Sequence, residues 1–330
     1  LLVNVIICEV CMIQSVSTNV DNSNQKTSFK DKAVKTGAAV VGGTVGLAVP
    51  YVTLADNFKI SSVADMQNSA KFMSKLMPEI DTFENTAKNV AQIMKETGLD
   101  KKGVKFHAID KNSASSVNEL KNIINDNVKQ SGKLFTRFKQ NIFNMFKEGA
   151  NAAYFTGTKD VIVGRHNLYS SAYHELGHAM NANGNFATKA LQKARNITPF
   201  GVSLVAPIVL AVGLLHKVDK TKPEEEKSKL EKTADFVSNN AGKLTLASYV
   251  PLLAEEGLAS IRGVKHAAKH LSPDKVSKLA MNYTKAWGTY AATAGLIAGG
   301  VALGVALAQG IKNKCTGQKP EQAPQDSKVA

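Results

Sequence analysis

Residues 171–181 read SAYHELGHAMN, and within them His174-Glu175-Leu176-Gly177-His178 is a His-Glu-x-x-His pattern. On an α-helix, residues four apart lie one above the other. Both imidazoles can therefore meet one ion while Glu175 projects toward the same side from the adjacent position. Two neutral imidazoles supply two of the contacts of a catalytic zinc ion (Zn2+), leaving a third protein ligand and a water to be found. Ala172, Tyr173, Leu176, Ala179 and Met180 offer apolar packing around the motif, and Gly177 is expected to leave space close to the metal. The chemistry implied is hydrolysis. Zinc lowers the pKa of a water and polarises a carbonyl, and a carboxylate beside the first ligand is needed to carry the proton, because a metal-bound imidazole cannot. Glu175 is the candidate general base.

No histidine follows at short spacing to complete the site. Downstream, Leu253-Ala-Glu255-Glu256-Gly-Leu-Ala259-Ser260-Ile-Arg262 offers two adjacent carboxylates in a helix-like segment. Adjacent helical positions are about 100° apart, so only one of Glu255 and Glu256 can point straight at the ion. The other is left to hold a ligand histidine through its free ring nitrogen, or to face solvent.

Three uncharged runs frame these residues: 20 residues between Lys35 and Asp56, 20 between Arg195 and His216, and 26 between Lys285 and Lys312. Each is close to the roughly 20 residues that cross a bilayer as a helix. Their glycines, including Gly295 with Gly299 and Gly300 with Gly304, would permit close helix packing in lipid. Core helices of a soluble protein are the alternative, since alanine and glycine lower their hydrophobicity. The histidines precede the second run and the glutamates follow it, so a membrane protein needs an even number of crossings between them. An outward helix near 197–216, a charged loop at 217–234 and a return near 236–254, bent at Pro251, meet that need.

Between the first two runs the pattern is that of a water-soluble domain. Residues 63–97 have helical spacing, Gly98 and Gly103 bracket a turn, and Val104–Asp110 alternates as a strand. Residues 115–148 read as one or two helices, in which LFTRFKQNIFNMFKEG sets aromatics among basic residues. Such a segment suits a helix on a bilayer surface or over a cleft, and equally one packed on the core. Two short strands at 151–156 and 160–163 surround Gly157, and a helix follows from about residue 168.

The net charge of +14 is dispersed, and no zinc finger, phosphate loop or aromatic RNA-binding signature accompanies it, so no nucleic-acid partner is expected. Basic flanks beside apolar runs fit an anionic lipid bilayer instead. Of the three cysteines, Cys8 and Cys11 lack the second pair of a zinc site, and nothing indicates a disulfide-built fold.

These residues resemble the integral-membrane zinc metallopeptidases of the gluzincin type, the group that includes the heat-shock membrane protease and the CAAX prenyl endopeptidase. In that group a strand with Asn-Ala and an aromatic precedes a glycine turn, a second strand and the His-Glu-x-x-His helix. The matching stretch here is Asn151-Ala-Ala-Tyr154-Phe-Thr-Gly157-Thr-Lys-Asp-Val-Ile-Val163, followed by His174, Glu175 and His178. The group's third ligand is a Glu in a Glu-x-x-Ala-Asp pattern on a later helix. Glu256-Gly-Leu-Ala259-Ser260 matches it with Ser in place of Asp, as in a related branch of bacterial membrane zinc peptidases, which implies Glu256 rather than Glu255. The resemblance covers about 148–183 and 252–263; elsewhere it rests on layout.

What it implies is an α+β fold: a mostly helical membrane protein with a zincin-like catalytic domain, made of a small sheet and the zinc helix, and about four transmembrane helices. The expected layout is an incomplete N-terminal segment at 1–35, a transmembrane helix at 36–55, a catalytic domain at 56–195 and a transmembrane hairpin at 196–254. A helix with the third ligand at 255–285, a transmembrane helix at 286–311 and a disordered polar tail at 312–330 complete it. The metal ligands are His174, His178 and Glu256, the cofactor is zinc, and Glu175 is catalytic. The function implied is a zinc-dependent endopeptidase of a bacterial inner membrane, cutting peptide or protein segments near the bilayer, with the strand at 151–156 as the edge to which an extended peptide adds. Alternatives are a non-catalytic zinc-binding membrane scaffold and a soluble zinc metallopeptidase. Asn151 reads as a turn or strand-start residue. Arg262, His266, His270 and Tyr249 are candidates, by type only, for stabilising an oxyanion, and His266 with His270 reads as a basic helix surface rather than a second metal site.

Overall fold

The computed structural model describes residues 63–131, 133–219 and 221–315. The segment expected to be one helical stretch from 63 is two helices, α1 (Val63–Leu76) and α2 (Phe83–Thr97). Pro78 separates them, because it lacks a donor N–H and disfavours helical backbone before it. Thr82 caps the second helix by accepting from Asn85 N, and Gly98, at φ 67°, ends it in a left-handed turn that glycine adopts without strain. Strand β1 (Lys105–Ile109) follows, then helices α3 (Ala114–Ser131) and α4 (Lys133–Lys147), then strands β2 (Ala153–Phe155) and β3 (Asp160–Gly164). Ile142, Phe143 and Phe146 of α4 pack with Ile109, Leu120 and Ile124, so the described half of this aromatic helix covers the core rather than the cleft.

The sheet has the order β1-β3-β2, with β1 parallel and β2 antiparallel to β3. All five residues of the central strand are buried, and β2 is left as an edge. On the sheet lies α5 (Ala172–Ala182), which carries the His-Glu-x-x-His motif. Its Tyr173, Leu176, Ala179 and Met180 join Tyr154, Val161 and Val163 of the sheet and Val90 and Ile93 of α2 in one apolar cluster.

The second half is helical: α6 (Phe186–Leu215), α7 (Lys229–Asn239), α8 (Ala241–Ser248), α9 (Val250–Ala267) and α10 (Pro273–Cys315). Ala206, Val209 and Leu210 of α6, Ala241 of α8 and Ala294, Ile297, Val301 and Val305 of α10 form its core. The charged loop enters α7 through a capping box between Ser228 and Glu231.

The expectation of about four spans is corrected. The run at 36–55 lies outside the described residues. The return leg at 236–254 is not one span: it is divided among the end of α7, the whole of α8 and the start of α9, with breaks at Asn240 and Tyr249. Pro251 stands in the first turn of α9, where its missing N–H costs nothing, so it starts a helix instead of bending one. Nor is 255–285 a single helix, since α9 ends at Ala267 and α10 starts at Pro273. Among the described residues one helix, Pro273–Asn313, is long and apolar enough to cross a membrane, and 44% of its most apolar window is buried inside the fold.

What positions the motif is the contact of α9 with α5. A Cβ on Gly177 would overlap the carbonyl oxygen of Ala259, and one on Gly263 would lie 2.5 Å from the carbonyl oxygen of Tyr173. Gly177 was expected to clear space for a metal; it clears space for the backbone of α9. Gly177→Ala would gain about 1 kcal/mol of helix propensity, but the overlap is with backbone, which cannot rotate away, and overpacking of this kind costs about 1–3 kcal/mol or more. A fall in thermal midpoint together with weaker zinc binding is the expected outcome; a variant as stable as the parent would contradict the packing described.

Candidate metal centre

The start of α5 is held by groups far away in the chain. The Glu79 carboxylate accepts from Tyr169 N (3.0 Å) and Ser170 N (2.9 Å), which lead into the helix. Tyr283 of α10 accepts from His174 N (3.0 Å) and donates to Ser170 O (2.8 Å). The imidazoles one turn apart then meet in T-shaped fashion, with Nε2 atoms 3.0 Å from each other.

Glu256 Oε2 lies 3.1 Å from His174 Nε2 and 3.6 Å from His178 Nε2. Three ligands held at about 2.0–2.2 Å around a tetrahedral zinc ion stand roughly 3.3–3.5 Å apart. The triangle therefore has the size of one face of that tetrahedron, and these three residues form a group able to hold a metal. Glu255 points elsewhere: it accepts from His178 Nδ1 (2.9 Å) and from Asn181 Nδ2 (2.8 Å). A carboxylate can only accept, so Nδ1 of His178 carries a proton, and when the ring is neutral, as metal binding requires, Nε2 presents its lone pair to the triangle. Ser260 Oγ is 3.1 Å from His174 Nδ1, so the serine at the position where the resembling group has Asp still reaches the first histidine.

Arg195 of α6 is the member that sequence reading missed. It had been counted only as a charge flanking an apolar run. Its Nη2 and Nε donate to Glu256 Oε1 at 2.6 and 2.9 Å, and its Nε lies 3.2 Å from Glu255 Oε2. One oxygen of Glu256 is thereby tied to the guanidinium while the other faces the histidines. Tyr283, Glu79 and Asn181 were missed as well. Each acts across 70 or more positions of sequence with nothing in its own neighbourhood to announce it.

Glu175, Glu255 and Glu256 are all buried. With neutral imidazoles, three carboxylates and one guanidinium leave two negative charges uncompensated in a low-dielectric site, a costly arrangement that a divalent cation balances. The protonation tendencies agree. Burial pushes His178 down, yet its hydrogen bonds with Glu255 and Glu256 outweigh this and raise it to about 9. Burial pushes Glu256 up, but His174, His178 and Arg195 together hold it far below the usual carboxylate range. The space between the rings and the carboxylates favours positive charge.

The centre opens into a cleft of about 280 Å³, which Glu175 lines together with His174, His178, Glu256 and Arg195. None of the four residues proposed by type for oxyanion stabilisation lines it. Tyr249 is buried in the core of the helical half, and His270 pairs with Glu96 at 3.3 Å. Asn151 does line the cleft, and its Oδ1 accepts from Ala152 N (3.0 Å), as a strand-start residue would.

No family model, no curated protein and no solved structure matches this chain. The constellation suggests a zincin-like metal-binding site on the geometry of its own residues, and membership of a named family does not follow from it.

Glu256→Ala should abolish stoichiometric zinc binding. Glu255→Gln, which leaves a supporting hydrogen bond to His178 but removes its charge, should weaken affinity by about 10–100-fold. Chelator competition measures both, and wild-type affinity in the Glu256→Ala variant would remove Glu256 from the ligand set.

Proposed function

We propose that this chain is a zinc-dependent peptidase in which His174, His178 and Glu256 hold the ion and Glu175 is the general base. The observation that carries the reading is the joint presence, in one cleft, of a zinc-sized ligand triangle and a buried carboxylate that is not part of it. Bound there, zinc would supply an acidified water and a polarised carbonyl. Glu175 takes the proton from the water as its oxygen bonds to the carbonyl carbon. It returns that proton to the amine nitrogen as the carbon–nitrogen bond breaks, so no proton need come from outside. Arg195 keeps Glu256 turned with a single oxygen toward the ion.

The cleft suits an extended chain. Its side formed by Asn151–Tyr154 includes the edge strand β2, whose free backbone groups can pair with a peptide. The lining also carries Phe72, Met73 and Leu76 of α1, Met77 just after it, and Trp287 and Tyr290 of α10. The charged residues in the lining are those of the centre itself. Uncharged, bulky side chains near the scissile bond are the substrate class that fits.

A zinc-binding scaffold without turnover would need the same three ligands, and metal binding is the part of the reading that requires least. The placement of Glu175 in the cleft favours turnover. The membrane assignment rests on less. Exposed Ile208, Leu246, Leu296 and Leu303 on the helical half favour contact with lipid, whereas the burial of nearly half of the apolar window in α10 is what the core helix of a soluble peptidase would show.

At equal zinc content, Glu175→Gln should lower peptide cleavage by about 10²-fold or more; equal activity would leave the scaffold. Washing membranes with alkaline carbonate separates the two architectures, since retention of the chain supports a bilayer-embedded α10 and release supports a soluble peptidase.

A further inference from the structure

One face of α10 borders the cleft. Tyr283, Ala286, Trp287 and Tyr290 follow one another at helical spacing and all line it. The two tyrosines are used differently. Tyr283 is buried, and its hydroxyl is committed at both ends, accepting from His174 N and donating to Ser170 O. Tyr290 is 42% exposed, and its hydroxyl has no hydrogen-bond partner among the described residues.

The other polar side chains that α6, α9 and α10 give the lining each have a partner. Arg195 is tied to Glu256 and Glu255, and Ser260 stands against His174 Nδ1. Trp287 Nε1 donates to Leu253 O (2.8 Å) and Thr289 Oγ1 to Ala286 O (2.7 Å). Tyr290 alone among them keeps a hydroxyl with no hydrogen-bond partner among the described residues, and it shares the lining with Glu256, Arg195 and Glu175. It shares the lining with Ala153 and Tyr154 of β2, the edge to which the peptide would add. A phenol is suited to such a place, because at neutral pH it donates a hydrogen bond without adding a charge to the site.

We propose that Tyr290 is a further catalytic residue: its O–H donates a hydrogen bond to the scissile carbonyl oxygen as that oxygen gains negative charge during addition of water. The inference rests on the peptidase reading above. The phenolic proton stays on Tyr290, and the transferred proton is the one that Glu175 carries from water to the amine. A donor of this kind acts on the charge that develops in the transition state, so its loss falls on turnover more than on binding of substrate or metal.

Tyr290→Phe removes one oxygen and leaves the ring. In the full zinc-loaded chain the variant should keep its zinc content and KM while kcat falls by about 10²–10³-fold. A second readout needs no turnover. A phosphinate peptide, whose tetrahedral anionic centre imitates the charged carbonyl, should bind Tyr290→Phe at least about ten-fold more weakly than wild type in calorimetry, while a plain peptide amide binds both equally. Unchanged kcat, a loss confined to KM or zinc content, failure of the phosphinate to bind wild type, or equal phosphinate affinity in both proteins would each overturn the proposal. Should wild type cut no peptide and yet bind the phosphinate in a Tyr290-dependent way, the peptidase reading falls and the donor role stands.

Discussion

Backbone contact between α5 and α9 is the constraint on which the rest of the structure depends. At Gly177 against Ala259 and at Gly263 against Tyr173 no side chain separates the two helices. Small residues at such crossings let helix axes approach more closely than ordinary packing allows. Here that approach carries two consecutive carboxylates, which a helix turns about 100° apart, to opposite sides of one imidazole. Glu255 meets Nδ1 of His178, and Glu256 stands before Nε2 of both histidines. A wider crossing would leave both glutamates out of reach of His178, whose ring is almost wholly buried.

The same closeness creates an electrostatic problem. Three buried carboxylates in one pocket are tolerable only with compensating positive charge. Arg195 answers part of the demand, and its grip on one oxygen of Glu256 orients the other. A cation held at the triangle would meet the remainder. Polar groups near the centre are therefore arranged for a charge that the polypeptide does not itself supply, which is the usual signature of a site rather than of a stabilising network.

The legibility of this arrangement in the sequence followed the range of the interactions. The spacing of His174, Glu175 and His178 is local, and a helix turns it into geometry without help from the rest of the chain. The short strands could be read from alternation and from their glycines, since Gly98 and Gly103 do adopt positive φ. Glu256 could be separated from Glu255 only through a resembling pattern, because their difference lies in helix phase relative to a partner 70 or more residues earlier. Arg195, Tyr283 and Tyr290 gave no local signal: all three lie on the helices that bear the long apolar runs, where a polar residue reads as a flank or an interruption. The runs themselves misled in part. A window rich in alanine and glycine has the same composition whether it faces lipid or a neighbouring helix, and only the packing of Gly213 against Val305 and of Gly242 against Ala302 shows the second use.

The central claim is that one zinc ion sits among two imidazoles and one carboxylate. X-ray absorption at the zinc edge of the purified full chain tests it most directly. The account predicts one zinc per chain in a shell of nitrogen and oxygen atoms at about 2.0–2.2 Å, with the multiple scattering of two imidazoles and no sulfur. A chain that folds but retains no zinc, or a shell containing thiolate sulfur at about 2.3 Å, would contradict it.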